Sequence, residues 1–472
     1  MDGISTLSSK PESVAQRFNR VFDVGPETIR KLSHSKRFLE RWTADEAFRN
    51  SVLDGTLTLQ GAQELCGCLI DVQSLLPVFH PDYMVHRADA TMADWPLTSL
   101  WNQHMKESLE VRDVIVALAG SGGVTPRFDQ WRSRNINRAA VQLDISAIGI
   151  THPPIAFELS SGCSVGCWFC GISAEEFKGH ATLNDGGDVE WRKTLESVKG
   201  ILGEGAECGF CYWATDPLDN PEYVEFLEIF EDVIGVIPQT TTAIPLRNVE
   251  LTKRVLREWQ KRKTTPNRFS VMTIRQLLEI HAKFTPEELY GVEIVLQTGK
   301  EMAITKYSAG RNFIEPSKKE KSSDGTIACV TGFLINIVEK TVKLISPTMP
   351  STKWPNGYII YDSRTYKDSD DLKIVLNDIV EKNMVVNMTG DKPLKISDGG
   401  EYDPTRNSKG IMYRRIEFVN DFVEVVGKKL SSGKHSPIDI ASHCMEHGIP
   451  LLQVVADLEK LWQEGIIEHA DA

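Results

Sequence analysis

No apolar run in the sequence approaches the roughly 20 residues that cross a bilayer, so no membrane span is expected. Residues 1–10 are polar and lack the apolar stretch of a secretory signal. Positive charge is also scarce: 53 Lys and Arg against 65 Asp and Glu give a formal net charge of -12. Such a chain has no basic footprint for nucleic acid, and no nucleic-acid partner is expected. Nine cysteines in 472 residues are too sparse for a disulfide scaffold. There is no internal repeat and no low-complexity tract. The length allows about three domains around a large core.

The cysteine that is present is concentrated. Glu158-Leu-Ser-Ser-Gly-Cys163-Ser-Val-Gly-Cys167-Trp-Phe-Cys170-Gly171 carries three at the spacing C-x3-C-x2-C. Thiolates are the usual ligands of iron–sulfur clusters. Three on one loop suit three irons of a four-iron cluster and leave the fourth open. A structural zinc site would want four ligands, usually as two pairs. The glycines at 162 and 166 let such a loop curl around an inorganic core. Residues 155–159 read as a strand, which puts the loop at a strand's carboxyl end, where α/β barrels keep their chemistry. An open cluster of this kind needs a reducing compartment, so a cytoplasmic location is expected.

Along the chain, residues 1–150 read as a helical region. Helical spacing of apolar residues runs over 11–22, 44–53 and 97–118. Thr43 to Glu46 resembles a helix start. Thr125-Pro126 resembles an N-cap followed by a first helical position. Cys66 and Cys68, two positions apart, read as packing residues. Residues 151–315 alternate strands (155–159, 208–214, 236–242, 268–273, 292–297) with helices (191–202, 222–231, 249–260), the pattern of a parallel sheet. The expected fold is α/β, a partial (β/α)6-type barrel. Residues 316–410 form a β-rich segment: a charged connector at 315–325, a hairpin over 326–346 turning at Glu339-Lys340, a strand near 359–361 and a long polar loop at 387–409. Residues 411–472 form a C-terminal helical domain of winged-helix-like pattern, with helical segments at 437–446, 451–464 and 465–468.

The cysteine loop, with Phe169 before its third cysteine, resembles that of the radical S-adenosylmethionine (SAM) enzymes. The resemblance implies a [4Fe-4S] cluster on Cys163, Cys167 and Cys170 and SAM as the second cofactor. Reductive cleavage of SAM then yields a 5′-deoxyadenosyl radical, with electrons from a donor such as a flavodoxin or ferredoxin. The open barrel is that family's usual fold. Its second-strand turn, Gly-Gly-Glu-Pro, aligns with Ala214-Thr-Asp-Pro217, where Thr215 and Asp216 still offer oxygens to an ammonium group. Read by itself, that turn is a cap for the next helix. By position, Ser270 and Gln297 are candidate contacts to ribose and adenine. Cys208 and Cys211, three apart on a strand, would face opposite ways and read as packing, with Cys211 near the site. No cysteine-rich tail follows, so auxiliary clusters are not expected.

Cys329, in Gly325-Thr-Ile-Ala-Cys-Val-Thr-Gly-Phe-Leu-Ile-Asn336, reads from sequence alone as a core cysteine sharing a period-two face with Ile327, Phe333, Ile335 and Ile337. Its context, with Ser346-Pro-Thr-Met-Pro350 and Trp354-Pro-Asn-Gly-Tyr358, resembles the peptide epimerases that mature ribosomal peptides of the polytheonamide and proteusin type. The Ala214 to Pro221 turn resembles them too, so the likeness covers residues 150–365. It implies conversion of L- to D-residues in a leader-bearing precursor peptide. The radical removes Hα, and Cys329 returns a hydrogen to the opposite face. The C-terminal domain would receive the leader. Alternatives are another radical peptide modification (thioether crosslinking or methylation) and a non-catalytic, cluster-bearing peptide-binding protein.

Overall fold

The computed structural model describes residues 14–262, 264–297, 306–315, 322–402, 411–413, 416–418 and 421–470. The polar first residues and most of the charged connector lie outside the described residues. The architecture is mixed α/β. Helices Val14–Phe22, Pro26–Ala44, Glu46–Leu53, Leu59–Leu65, Pro96–Leu118 and Pro126–Leu143 form the N-terminal part. Asp45 caps the third, its side chain accepting the Phe48 N–H at 3.1 Å. Pro126 sits in the first turn of the last, with Thr125 at its N-cap. Helix Pro26–Ala44 escapes a periodicity reading because Ser33, His34, Ser35 and Arg37 share its buried side with Leu32, Phe38 and Trp42. Among the described residues no helix is long and apolar enough to cross a membrane.

Two sheets position the site. In the first, β1 (Ile155–Glu158) pairs in parallel with a later strand, Gly332–Asn336. The second is parallel throughout: β2 (Thr241–Thr242), β3 (Asn267–Val271) and β4 (Val292–Leu296). The Gly332–Asn336 strand is β5, and it forms the expected hairpin with β6 (Thr341–Pro347). A longer strand, β7 (Tyr358–Thr365), completes the first sheet in the order β1, β5, β6, β7. The β-rich segment is therefore continuous with the strand that leads into the cysteine loop. Both faces of this sheet are covered. Phe157, Phe333 and Ile335 pack with helices Gly187–Leu202, Tyr223–Ile234 and Ser369–Asn383, while Ala156 and Leu334 pack with Phe210, Trp213 and Tyr358.

Several expected elements take another form, each for a local reason. Residues 208–214 contribute a single parallel bridge, Ala156 with Phe210, because the Glu158 carboxylate takes the Ala214 N–H at 2.9 Å in place of a ladder partner. The strand expected over 236–242 shrinks to Thr241–Thr242. Pro238 has no N–H to give, and Asn267 accepts the Thr240 N–H through its side chain at 2.9 Å. Residues 326–331 are irregular. The Thr331 N–H donates to the Pro153 carbonyl, and Pro153 and Pro154 cannot donate in return. Phe333 and Ile335 are buried but Ile327 is 53% exposed, so the face predicted for Cys329 does not exist. The described residues hold these two parallel patches and a third, two-residue one, Lys306–Tyr307 with Ser322–Ser323, and no closed barrel is present among them.

In the C-terminal portion, helices Asp421–Ser432, Pro437–Glu446 and Leu451–Gln463 share a core with β8 (Leu394–Ile396) and β9 (Ile467–His469), which pair antiparallel. The end of the chain, expected as helix, is a strand because Gly465 (φ 68°) ends the preceding helix in a left-handed conformation. This portion rests on helix Pro126–Leu143: the Arg134 guanidinium stacks 4.2 Å over the Trp462 ring, and Asn137 donates to the Gln463 carbonyl at 3.0 Å.

Candidate functional site

β1 feeds directly into the cysteine loop. Ser160 and Ser161 pair with Gly179 and His180, and the Cys163 N–H donates to the Glu175 carbonyl at 2.9 Å, so the loop is closed at its base. Gly162 has φ 72°, and a Cβ there would strike the Glu176 carbonyl, so glycine is required. Two arginines hold the rest. On one side Asp219 accepts the Ser164 N–H at 2.9 Å and Arg247 binds Asp219 at 2.8 Å and the Ser164 hydroxyl at 2.6 Å. On the other, Arg311 donates to the Cys167 carbonyl at 2.7 Å and reaches Ala174 as well, while its own N–H donates to the Cys170 carbonyl at 2.9 Å.

The three thiols are half-buried. Burial pushes Cys163 up and Cys167 up to about 11, and Cys170 adds to both by charge repulsion. Clustered thiols whose ionisation is held back, as at Cys163 and Cys167, are a donor set that a soft cation would relieve. Among the described residues, however, His, Cys, Asp and Glu side chains are not gathered into groups of three that could hold a metal ion. The loop thus fits an iron–sulfur group by donor chemistry and placement, and its sulfurs are not drawn to one point.

The other candidates divide. The Phe169 ring lies edge-on to Trp168 at 5.2 Å, and the Lys306 ammonium sits over both rings at 4.9 and 5.3 Å. Lys306 also donates to the Gln297 carbonyl at 3.0 Å, so Phe169 and Gln297 meet through one lysine. Asp216 is buried and caps the turn Pro217–Asp219, accepting from the Leu218 N–H, the Ala243 N–H and the Thr242 hydroxyl at 2.8 to 3.1 Å. Burial pushes its carboxyl up to about 6. Its oxygens are thus engaged within the protein, and Ala214 and Thr215 ride on the turn it fixes. Ser270 lies on β3 opposite Val295, well apart in sequence from the cysteine loop but on the half-exposed side of its strand.

Cys329 is half-buried against Phe210, Trp213 and Tyr358, in company with Ile172, Tyr212 and Ala214. Ile327 fills the space over Gly171. The structure therefore brings the segment of Cys329 to the outgoing end of the cysteine loop. Burial pushes the Cys329 thiol up to about 12, against the pull of the Arg268 charge. Cys211 lies fully inside the helix-side core, and Cys208 is pushed up to about 12 by burial. Cys66 and Cys68 are buried in the N-terminal core, where the Cys68 thiol donates to the His34 carbonyl at 3.3 Å.

No family model matches the sequence. A curated relative does: the uncharacterized protein y4wI of Sinorhizobium fredii (strain NBRC 101917 / NGR234) is 37% identical over 474 residues, covering 98% of this chain and 91% of that one. The chain belongs to the y4wI family. The crystal structure of BtrN in complex with AdoMet and 2-DOIA covers 49% of this chain and 83% of its own, at TM-score 0.33 and 12% identity. That likeness is too slight to assign the fold of the y4wI family.

One group in this y4wI relative was not singled out from sequence. Thr241, Arg268 and Glu293 stand directly opposite one another across β2, β3 and β4. Arg268 Nε meets Glu293 at 2.8 Å, and Tyr212 donates to Gln239 at 2.7 Å nearby. The signal available was the alternation in Asn267-Arg-Phe-Ser-Val271, whose Phe269 and Val271 pack against helix Ile274–Lys283 and so turn Arg268 to the other face.

Proposed function

We propose that this chain is a radical SAM epimerase that converts L- to D-residues in a ribosomally made precursor peptide. The observation that carries the reading is the pairing of two thiol sites: a braced three-cysteine loop at the end of a buried strand, and a separate half-buried thiol, Cys329, beside that loop's outgoing end. In this reading Cys163, Cys167 and Cys170 hold a [4Fe-4S] cluster, with Phe169, Ala214, Thr215, Ser270 and Gln297 around SAM and Asp216 holding the turn. With SAM, that cluster supplies the 5′-deoxyadenosyl radical that removes Hα. The rest belongs to the chain. A hydrogen-atom donor must carry its hydrogen, and burial keeps Cys329 protonated far above neutral pH. Removing Hα flattens the carbon, and return from the opposite face inverts it.

The thiyl radical left on Cys329 needs an electron and a proton before another turnover, which calls for a donor such as a flavodoxin or ferredoxin in a reducing cytoplasm. The precursor's leader is assigned to the C-terminal helices, supported by the exposed apolar Leu452 and Val455 of helix Leu451–Gln463. A Leu452→Glu variant should weaken precursor binding and leave uncoupled SAM cleavage intact.

The decisive experiment is turnover of the precursor in deuterium oxide. Each D-residue should gain one deuterium at Cα, because a thiol exchanges its hydrogen with solvent. Cys329→Ala should still cleave SAM and form no D-residues. D-residues at the wild-type rate in that variant would remove Cys329 from the reaction. A mass change of the peptide in ordinary water would point instead to crosslinking or methylation.

A further inference from the structure

The inner face of β3 and β4 is wet where a small domain would fill it. Arg268 and Glu293 form an ion pair at 2.8 Å, yet their side chains remain 47% and 54% exposed. Arg268 is nonetheless crowded by the chain around it. Burial is the largest influence on Arg268, and the charges felt there include Glu293, Tyr212 and Cys329. Tyr212 and Cys329 pack against the same apolar cluster, and burial pushes each up to about 12 while Arg268 pulls both down. Residues that touch water and yet lie deep line a concavity.

The guanidinium spends only Nε on Glu293. Among the described residues its terminal nitrogens have no acceptor, so two donors in fork geometry remain for a ligand oxygen. Glu293 keeps Arg268 aimed and cancels its charge, so the pair carries no net charge. An oxygen atom with a lone pair, next to a carbon that the thiol must reach, is the chemistry this arrangement selects.

We propose that Arg268, held by Glu293 beside Tyr212, is the positioning residue of an acyl-oxygen subsite that presents the carbon next to a carbonyl or carboxylate to the Cys329 thiol. Resting on the epimerase reading, that carbon is the Cα of the residue being inverted and the oxygen is its main-chain carbonyl. The subsite itself is a property of the unloaded chain and is tested there.

The test is selective alkylation of Cys329 in the full-length protein without cofactors, followed by peptide mapping. Iodoacetamide and iodoacetate both carry an acyl oxygen next to the carbon attacked by sulfur, and allyl bromide does not. Relative to the same cysteine in unfolded protein, Cys329 should favour the haloacetyl reagents over allyl bromide by about tenfold, and Arg268→Gln should abolish that preference. A mere change in thiol ionisation would move all three reagents together and leave the ratio alone. Arg268→Lys should keep part of the preference. Glu293→Gln should raise the iodoacetate rate more than the iodoacetamide rate, and it reads the same subsite if Arg268→Gln does not fold. An unchanged ratio in both Arg268→Gln and Glu293→Gln, or a Cys329 closed to all three reagents, overturns the proposal. A lost preference in Arg268→Gln alongside wild-type D-residue formation by Cys329→Ala would keep the subsite and sink the epimerase reading.

Discussion

The two larger parallel patches among the described residues follow opposite specifications. Every residue of β1 and of β5 is buried, as expected of parallel strands covered on both faces. In β3 and β4, Phe269, Val271, Val292 and Leu296 are buried, whereas Arg268 and Glu293 lie open and Ser270 and Val295 are half-exposed. The first patch is scaffold. It carries the cysteine loop and fixes where that loop begins. The second has a helix-packed back and a polar front, and a polar front facing inward is space kept for something that is not part of the chain. Four measurements sharpen or break this contrast.

The largest effect is expected at the end of the scaffold strand. Cys163→Ala, Cys167→Ala and Cys170→Ala should each eliminate the visible absorbance of anaerobically reconstituted protein and its SAM cleavage. Melting temperature should change little, because the three side chains are half-exposed. Normal cleavage in any one of them removes the cluster assignment.

Next is the scaffold core. Phe333 stacks on Phe128 at 6.1 Å between ring centres and is fully enclosed. Phe333→Ala should cost about 3–5 kcal/mol in denaturant unfolding. A loss under about 1 kcal/mol would mean that β5 is not the closed strand described.

The third is a pH dependence. His152 sits just before β1, buried, with Nδ1 2.8 Å from the Thr331 hydroxyl. Burial, with Arg132 and Arg138 nearby, pushes it down to about 3 from 6.5. The unfolded chain therefore binds a proton below pH 6.5 that the folded chain refuses. This stabilising contribution is complete above pH 6.5 and falls as pH drops toward about 3, at up to about 1.4 kcal/mol per pH unit. Stability curves of His152→Gln should be flatter over that interval. Parallel curves would show that His152 takes up its proton in the folded state.

The smallest effect belongs to the wet patch. Both members of the Arg268–Glu293 pair are about half exposed, and such pairs contribute at most about 1 kcal/mol. Arg268→Gln should unfold within that margin of the wild type. A cost comparable to that of Phe333→Ala would make the pair part of the scaffold and dissolve the contrast.

How far the sequence could be read depended on where the hydrogen bonds go. The cysteine loop, the hairpin at Glu339-Lys340 and helix Pro437–Glu446 were legible because local residues dictate them: glycines at 162 and 166, alternating apolar residues, and a Ser436–Asp439 capping box. Helices Ile274–Lys283 and Ser369–Asn383 were missed. The first follows β3 after a gap of two residues, and the second opens on a run of aspartates that obscures its apolar spacing. The strand around Cys329 was over-read because its apolar residues alternate, and nothing in that stretch reveals that its partner is a pair of prolines. The influence of the Arg268 charge on Cys329 joins residues 61 positions apart, which no local pattern encodes.

The pairing of β1 with β5 also sets a schedule. Glu158 binds Asn336 at 3.0 Å across a separation of 178 residues, and Ser161 reaches Glu339 at 2.6 Å across the same interval. At ribosomal rates of about 5–20 residues per second, the cysteine loop is exposed for roughly 9–36 s before the strand that clamps its base has been made. During that interval its three thiols hang from an unpaired strand edge. Whatever shields them from oxidation and stray metals in that interval has to act on a nascent chain.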